Sequence, residues 1–451
     1  MSHTYPAELA IAPLAKPPSA TVTVPGSKSI TNRALVLAAL GCAHGCKGCE
    51  LEGALFSEDT EVMMAALRQL QFYAARRHGP PAPIVKVFCD GDHPGLAATP
   101  EADLFVGNSG TTIRFLTAML ALGHGRYRLD GVPRMRERPI EDLLDALRQL
   151  GVNARSESGS GCPPVVIEAN GLRGGEVRIR ADISSQYLSA LLMVAPFAEG
   201  ETVIRVEGPR VSEPYIEMTL EMLRQWGLSV GVEPGPVYRI PGRQQVSSTD
   251  DSCYYVDYLV EPDASAASYF WAAAAITGGR VTVERLNRTS LQGDVRFVDV
   301  LEQMGCPVDS TDTWITVHGG PLRGVDVDMN DISDTVMTLG AVACFAEGPT
   351  TIRNVAHIRH KETDRIAALA TELRKLGAEV EERDDGLTIH PRPLRGCAVD
   401  TYNDHRMAMS LALVGLKVPG VVIRNPGCVA KTYPGFWQDL EKLRAAVGSG
   451  Q

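Results

Sequence analysis

The sequence predicts a two-lobed α/β protein assembled from repeated copies of one unit, and three observations carry that prediction. First, six segments pair a polar or glycine-bearing lead with a helical run of small apolar residues. They read SKSITNRALVLAAL from Ser27, NSGTTIRFLTAML from Asn108, ISSQYLSALLMVA from Ile183, DASAASYFWAAAA from Asp263, ISDTVMTLGAVAC from Ile332 and NDHRMAMSLALVGL from Asn403, about 70 to 80 residues apart. Second, glycine turns and β-type runs follow, such as TVIRVEG from Thr202, RVTVERL from Arg280, TTIRNVA from Thr350 and GVVIRNP from Gly420. Third, another set of helices has period-3.6 apolar faces, IEDLLDALRQLG, IEMTLEMLRQWG, VRFVDVLEQMG and IAALATELRKLG, each ending on the glycine that a left-handed C-terminal residue calls for. The unit reads as a βαβαβ-type module used six times.

Three modules per lobe divide the chain near residue 260, where GRQQVSSTDDSCYYVDY from Gly242 is polar and turn-rich. The expected lobes are 21–260 on one side, and 1–20 with 261–451 on the other. Residues 73–84, YAARRHGPPAPI, read as a surface insertion, and the tail after Ala446 as a frayed end.

At 451 residues the chain exceeds one ordinary hydrophobic core, and 44 % apolar with 22 % charged residues is the balance of a folded globular protein. The formal net charge of −10 gives no global positive field for nucleic acid or anionic membrane, so anion binding must come from local clusters. Residues 1–18 lack a basic stretch followed by an apolar core, and no window approaches 18 uninterrupted apolar residues. A soluble cytoplasmic protein is expected.

Local cations recur at helix starts, where they oppose the macrodipole at a cost of about 0.3 to 1 kcal/mol each. Lys28 and Arg33 stand at the start of the first small-residue helix, and Arg138 precedes Pro139 and the helix carrying Leu143, Leu144 and Leu147. Lys361 and Arg365 open the helix through Leu369 and Leu373, and His405 and Arg406 open the last small-residue helix. An anionic ligand shared by cation and helix end would remove the conflict. The leads Ser27, Ser29, Asn108, Ser109, Gly110, Thr111, Ser184 and Ser185 offer hydroxyls and backbone N–H groups suited to phosphate or carboxylate, although a serine lead by itself is an ordinary N-cap.

Ten cysteines without a dense even framework suit a reducing compartment. Cys42, Cys46 and Cys49 form C-x3-C-x2-C, the spacing of the iron–sulfur triad of radical enzymes. Gly48 stands where those enzymes usually place an aromatic, and the segment reads as a turn entering a strand, so the three are expected to be core residues.

The strings PGSKSITNRALVLAAL, GNSGTTIRFLTA, PRMRERPI, SSQYLSALLM, DASAASYF, RHKETDRIAALATELRKLGAEV, YNDHRMAM and AKTYP run in order from about Val22 to Pro434 and resemble the 5-enolpyruvylshikimate-3-phosphate synthase family of enolpyruvyl transferases. The resemblance implies two lobes, each an inverted α/β barrel of three βαβαββ units, with the active site in the interdomain cleft. It implies transfer of the enolpyruvyl group of phosphoenolpyruvate to the 5-hydroxyl of shikimate 3-phosphate, with release of phosphate, on the way to chorismate and the aromatic amino acids. No metal or organic cofactor is implied, and a monomer with small-molecule substrates is expected.

By motif, Lys28, Ser29, Arg33, Ser184, Ser185, Gln186, Ser212, Tyr215, Asp334, His357 and Lys361 fall at the shikimate 3-phosphate positions. Lys28, Asn108, Gly110, Arg138, Gln186, Arg365, Arg406 and Lys431 fall at the phosphoenolpyruvate positions. Asp334 matches the family's proton acceptor and Glu362 its proton donor, with Lys28, His405 and Lys431 as further catalytic groups. Read without the family, each carboxylate would be an N-cap or an ion-pair partner. With cations expected in both lobes, the empty lobes should repel until anionic substrates join them.

Phe115 stands where many members have proline, Ser109 replaces a frequent alanine and His357 a frequent asparagine. Retained Gly110 implies sensitivity to glyphosate, the phosphoenolpyruvate-mimicking herbicide. The nearest rival reading is the related UDP-N-acetylglucosamine enolpyruvyl transferase, but VPRMRERPI lacks the cysteine that such an enzyme usually carries in a mobile loop. A catalytically dead anion-binding scaffold is the other rival, opposed by the joint presence of Lys28, Asp334, Glu362 and Lys431.

Overall fold

The small-residue segments form helices with no face left for water. In Gly110–Leu120 and His405–Gly415 every residue is buried, and in Lys28–Ala43 burial is continuous from Ile30 to Cys42. A helix buried all round shows little amphipathic period, and alanine and glycine let neighbouring backbones approach. These features belong to a computed structural model that describes residues 5–44, 46–77, 82–90, 95–246 and 255–445. The chain divides by its contacts into two units, Gly26–Val260 and a second made of Met1–Pro25 with Glu261–Gln451.

Among the described residues each unit contains three sheets with one common plan. In the first unit Glu101–Phe105 lies parallel to His124–Asp130, which pairs antiparallel with Val165–Asn170, which pairs antiparallel with Asn153–Ser156. Gly175–Arg180, Thr202–Glu207, Val237–Ile240 and Gly231–Glu233 repeat this order, as do Tyr255–Leu259, Gly48–Glu52, Ile84–Phe88 and Tyr73–Arg77. The parallel pair 101–105 and 124–130 is joined through the buried helix, as parallel strands require a crossover. The amphipathic helix follows, then the antiparallel hairpin.

The second unit has two sheets of the same plan, Ser19–Val22 with 280–284, 314–318 and 308–310, and Asp326–Asp328 with 350–353, 386–390 and 379–383. Its third sheet has three strands, Ala398–Val399 parallel to Val421–Arg424 and Glu8–Ile11 antiparallel to it. The strand Ser19–Val22 pairs with Arg280–Glu284 of the second unit, and the contacts put the first crossing at Pro25–Gly26 and not at residue 20.

Tyr73–Arg77 and Ile84–Phe88 also correct the expected surface insertion at 73–84, because both are strands of one sheet. The alternation of apolar and polar residues there is that of a half-buried hairpin, and the ARRHGPP composition obscured it. Residues 78–81, the stretch 247–254 beside the second crossing and the tail from 446 lie outside the described residues. Among the described residues no helix is long and apolar enough to cross a membrane.

The buried helices of each unit pack on one another and meet through polar atoms. In the second unit, hydroxyls of Ser268, Thr338 and Ser410 lie at 3.2 Å from one to the next, one from each helix. In the first unit Arg33 occupies the corresponding meeting place. Its Nη2 donates to Ser189 Oγ at 3.1 Å and its guanidinium lies 5.2 Å from the ring centre of Phe115.

The amphipathic helices end as their sequences require. Gly377 closes Arg365–Leu376 with φ of +110°, and its N–H bonds back to the carbonyls of Leu373 and Arg374. A Cβ there would also stand 2.8 Å from Pro393 O. Gly377→Ala is therefore expected to cost about 1 to 3 kcal/mol and to lower the thermal unfolding midpoint. An unchanged midpoint would show that the 393–395 segment yields.

Candidate active site

The start of the helix Arg365–Leu376 carries a cation that its own dipole opposes, and the fold supplies carboxylates. Asp364 caps the helix by accepting the Ala367 N–H at 3.1 Å. Arg365 is only 1 % exposed. Its Nε donates to Asp404 Oδ2 at 2.8 Å, its Nη1 to Asp334 Oδ1 at 3.1 Å and its Nη2 to Glu362 Oε2 at 2.8 Å. Burial opposes the charge on this guanidinium, but Asp404, Glu362 and Asp334 outweigh it and hold the pKa above its ordinary value.

The row extends on both sides. Asp334 Oδ2 accepts from Arg406 Nη2 at 2.6 Å, and Glu362 Oε1 lies 3.7 Å from Lys431 Nζ. Lys431, Glu362, Arg365, Asp334 and Arg406 thus form a continuous sequence of alternating charge. Each comes from the edge of an element: Asp334 from the turn Ser333–Thr335, Lys431 from the end of the turn Pro426–Lys431, and Arg406 from the first turn of His405–Gly415. Asp404 caps that last helix through the Arg406 N–H at 2.8 Å while also holding Arg365.

Neighbouring groups tune the row. Arg406 Nη2 lies 3.4 Å from Ser265 Oγ and Nη1 3.4 Å from Tyr269 Oη, and the Ser265 hydroxyl donates to Asp294 in a short bond. Burial first, and then the charge of Asp334, push the Asp294 carboxyl up to about 7, against the pull of Arg406 and Ser265. His357 is buried with Nε2 2.9 Å from Ser333 Oγ; burial, followed by the charge of Lys361, brings its pKa down to about 3, so the ring is neutral. Lys361 itself is half-buried just ahead of the capped helix. His405 is fully buried, its Nδ1 3.7 Å from Asp404 Oδ1.

The first unit gathers a second cation group. Lys28 opens its helix behind the Ser27 cap, with Nζ 4.0 Å from Asp59 Oδ2 and half-buried Ser29 next to it. Arg138 Nη1 donates to Asn108 O at 3.1 Å and lies 3.4 Å from Asn108 Oδ1. Arg114 joins the rest: Nη1 reaches Gly110 O at 3.1 Å and Gln186 Oε1 at 3.3 Å, and Nη2 reaches Pro139 O at 2.9 Å. A Cβ on Gly110 would come within 2.5 Å of Arg138 Nη2 and 2.8 Å of Arg114 Nη1, so the glycine makes room for both guanidinium groups.

Ser184 caps the helix Ser185–Val194 through the Gln186 N–H at 3.3 Å, with Ser185 buried beside it. Ser212 is buried with a left-handed φ of +52°, an uncommon conformation for serine that sets up the helix bearing Tyr215.

Several residues therefore differ from their sequence reading. Arg33 is turned inward, donating to Thr219 Oγ1, Ser29 O, Ser189 Oγ and Tyr215 O, and burial lowers its pKa to about 10. These four bonds link the helix Lys28–Ala43 to Ser189, Tyr215 and Thr219. Phe115 lies under it in the core. Ser27, Ser109 and Ser184 all act as N-caps, the ordinary reading of a serine lead. In the second unit Arg365, Arg406 and Lys431 each face a carboxylate.

The residues that sequence reading did not single out are Arg114, Asp404, Asp294 and Ser265. Asp404 alone left a signal, as the capping aspartate just before His405 and Arg406.

Residues 15–440 match the family model described as EPSP synthase (3-phosphoshikimate 1-carboxyvinyltransferase). The chain is 48 % identical over 436 residues to the 3-phosphoshikimate 1-carboxyvinyltransferase of Trichormus variabilis, covering 96 % of this chain and 99 % of that one. It is 45 % identical to the chloroplastic 3-phosphoshikimate 1-carboxyvinyltransferase of Solanum lycopersicum, covering 97 % and 84 %. A solved EPSP synthase from Acinetobacter baumannii superposes with a TM-score of 0.78 at 27 % identity, covering 97 % of this chain and 98 % of that one. With the alternating row in one unit and the Arg114-centred group in the other, this full-length agreement places the chain in the EPSP synthase family.

Proposed function

We propose that the chain transfers the enolpyruvyl group of phosphoenolpyruvate to the 5-hydroxyl of shikimate 3-phosphate and releases phosphate, in the shikimate pathway. The observation that carries this reading is the alternating row, in which Asp334 and Glu362 share one buried arginine and each faces a further cation. Two carboxylates on a fixed centre suit a reaction that needs one proton removed and another delivered. Asp334 takes the proton of the attacking hydroxyl, and Glu362, beside Lys431, protonates the vinyl methylene. The reverse transfers then expel phosphate from the tetrahedral intermediate. Glu362 takes back a methyl proton as the double bond re-forms and the C–O bond to phosphate breaks, and Asp334 passes the hydroxyl proton to the departing phosphate, so both carboxyl groups return to their starting states.

Phosphoenolpyruvate carries a phosphate and a carboxylate. It takes Lys28, Asn108, Gly110, Arg138 and Gln186 from the first unit, and Arg365, Arg406 and Lys431 from the second. Shikimate 3-phosphate takes Lys28, Ser29, Arg33, Ser184, Ser185, Gln186, Ser212 and Tyr215 with Asp334, His357 and Lys361. Each unit is read as an inverted α/β barrel, with both groups acting on one substrate pair. When an anion reaches Arg406 and Lys431, it competes with Asp334 and Glu362 for them, which turns those carboxylates toward the reacting atoms. His405, with its Nδ1 3.7 Å from Asp404 Oδ1, and Lys28 are further catalytic groups. The reading includes a cytoplasmic monomer that acts on small molecules and competition from glyphosate at the phosphoenolpyruvate positions.

Phosphate release requiring both substrates, measured with each omitted in turn, tests the activity; release with either one alone would refute it. Glu362→Gln keeps the size and one hydrogen-bond acceptor, so substrate KM should change little while kcat falls about 10²- to 10⁴-fold. Wild-type kcat in that variant would remove Glu362 as the acid. Gly110→Ala must displace Arg138 or Arg114, and is expected to raise the phosphoenolpyruvate KM about 10-fold or more.

Asp294 is protonated below about 7 and anionic above it, where it competes with substrate for Arg406. The ratio of wild-type to Asp294→Asn KM for phosphoenolpyruvate should therefore rise as pH increases through 7. A flat ratio from pH 6 to 8.5 would show that Asp294 does not titrate there.

A further inference from the structure

Three cysteines in the first unit converge at the end of the Lys28 helix opposite Lys28. Cys42 lies in the last turn of Lys28–Ala43, Cys46 in the turn that follows, and Cys49 in the strand Gly48–Glu52. All three are buried, and their Sγ atoms lie within 4.8 Å of one another. Cys46 Sγ is 4.0 Å from Cys42 Sγ and 3.8 Å from Cys49 Sγ.

A fourth cysteine, Cys89, follows the strand Ile84–Phe88 and stands outside that 4.8 Å group. Cys49 pairs with Val87, and Cys89 stands two residues beyond Val87 on the same face of the sheet. A fourth sulfur would come from the end of that adjacent strand, through a small shift of the segment that carries Cys89.

Four thiolates around one zinc ion at about 2.3 Å form a tetrahedron with edges of about 3.8 Å. The two shortest sulfur separations have that size. They are far longer than a disulfide bond. They are also shorter than an iron–sulfur cluster needs, since a cluster spreads its thiolates over separate irons.

We propose that Cys42, Cys46, Cys49 and Cys89 bind one zinc ion as a closed structural site that fastens the end of the Lys28 helix to its sheet. All four positions are filled by protein, so the site leaves no opening for catalysis. It lies about 20 Å along the helix from Lys28 at 1.5 Å per residue, and binding would anchor the helix that presents that lysine. Binding converts the thiols to thiolates and releases their protons to solvent.

The test uses the full chain, expressed with added zinc and purified without chelator, with metal content measured by mass spectrometry. About one zinc per chain is expected in the wild type and almost none in Cys49→Ser or in the less buried Cys89→Ser, with circular dichroism confirming that the variants fold. If both variants fail to fold, the decision falls to wild-type protein reconstituted with cobalt, which should show thiolate charge-transfer and the strong visible bands of a tetrahedral four-sulfur site. Wild-type protein that holds no zinc and gives no such bands would overturn the proposal. So would retention of the zinc in both folded variants, iron with acid-labile sulfide, or a disulfide among the four cysteines.

Discussion

The buried guanidinium of Arg365 is the interaction on which the candidate site depends. A single cation at 1 % exposure is costly, and three carboxylates from three different segments compensate it. Asp404 arrives as the cap of one helix, Asp334 from a short turn and Glu362 from the approach to the helix that Arg365 itself opens. Removing any one of them leaves charge unbalanced in a place water does not reach, so the three segments are fixed together. Arg406 and Lys431 then balance the outer oxygens of the two carboxylates assigned to proton transfer.

The same design explains why buried helices carry polar ends. A helix of alanine, leucine and glycine packs well inside a unit and exposes its first-turn amides at one end, where serine and aspartate caps satisfy some of them. Three such helices packed together bring three polar ends into one unit. The two units use this plan differently. The second joins its helices through the Ser268, Thr338 and Ser410 hydroxyls and concentrates charge at their starts, whereas the first places Arg33 at the junction over Phe115. Arg33 then organises Ser29 and Tyr215 by their carbonyls, and Arg114 similarly gathers Gly110 and Gln186. Arginine suits both places because its planar fork donates to several acceptors at once.

Much of this was legible in the sequence. The six polar-lead segments became buried helices, the β-type runs became central strands, and the glycine ending IAALATELRKLG took the left-handed conformation its position required. Period, turn chemistry and capping are local properties, so spacing along the chain is enough to reveal them. The strand Tyr73–Arg77 was missed because its arginines and the following prolines resemble a loop, and only pairing with Ile84–Phe88 identifies it.

What the sequence determined by itself was the repeat, the polar helix starts, the family resemblance and an inventory of cations and carboxylates. Tertiary structure decided which charges meet. Arg33 and Arg138 both precede or open helices in sequence, yet one is directed into the core and the other lies beside Gly110. Asp294 and Ser265 are ordinary residues until folding buries them beside Arg406. The C-x3-C-x2-C spacing had no decisive meaning until folding brought the sulfurs of Cys42, Cys46 and Cys49 within 4.8 Å of one another. Contacts between residues distant in the chain depend on how elements pack, and a single sequence records the residues without the distances between them.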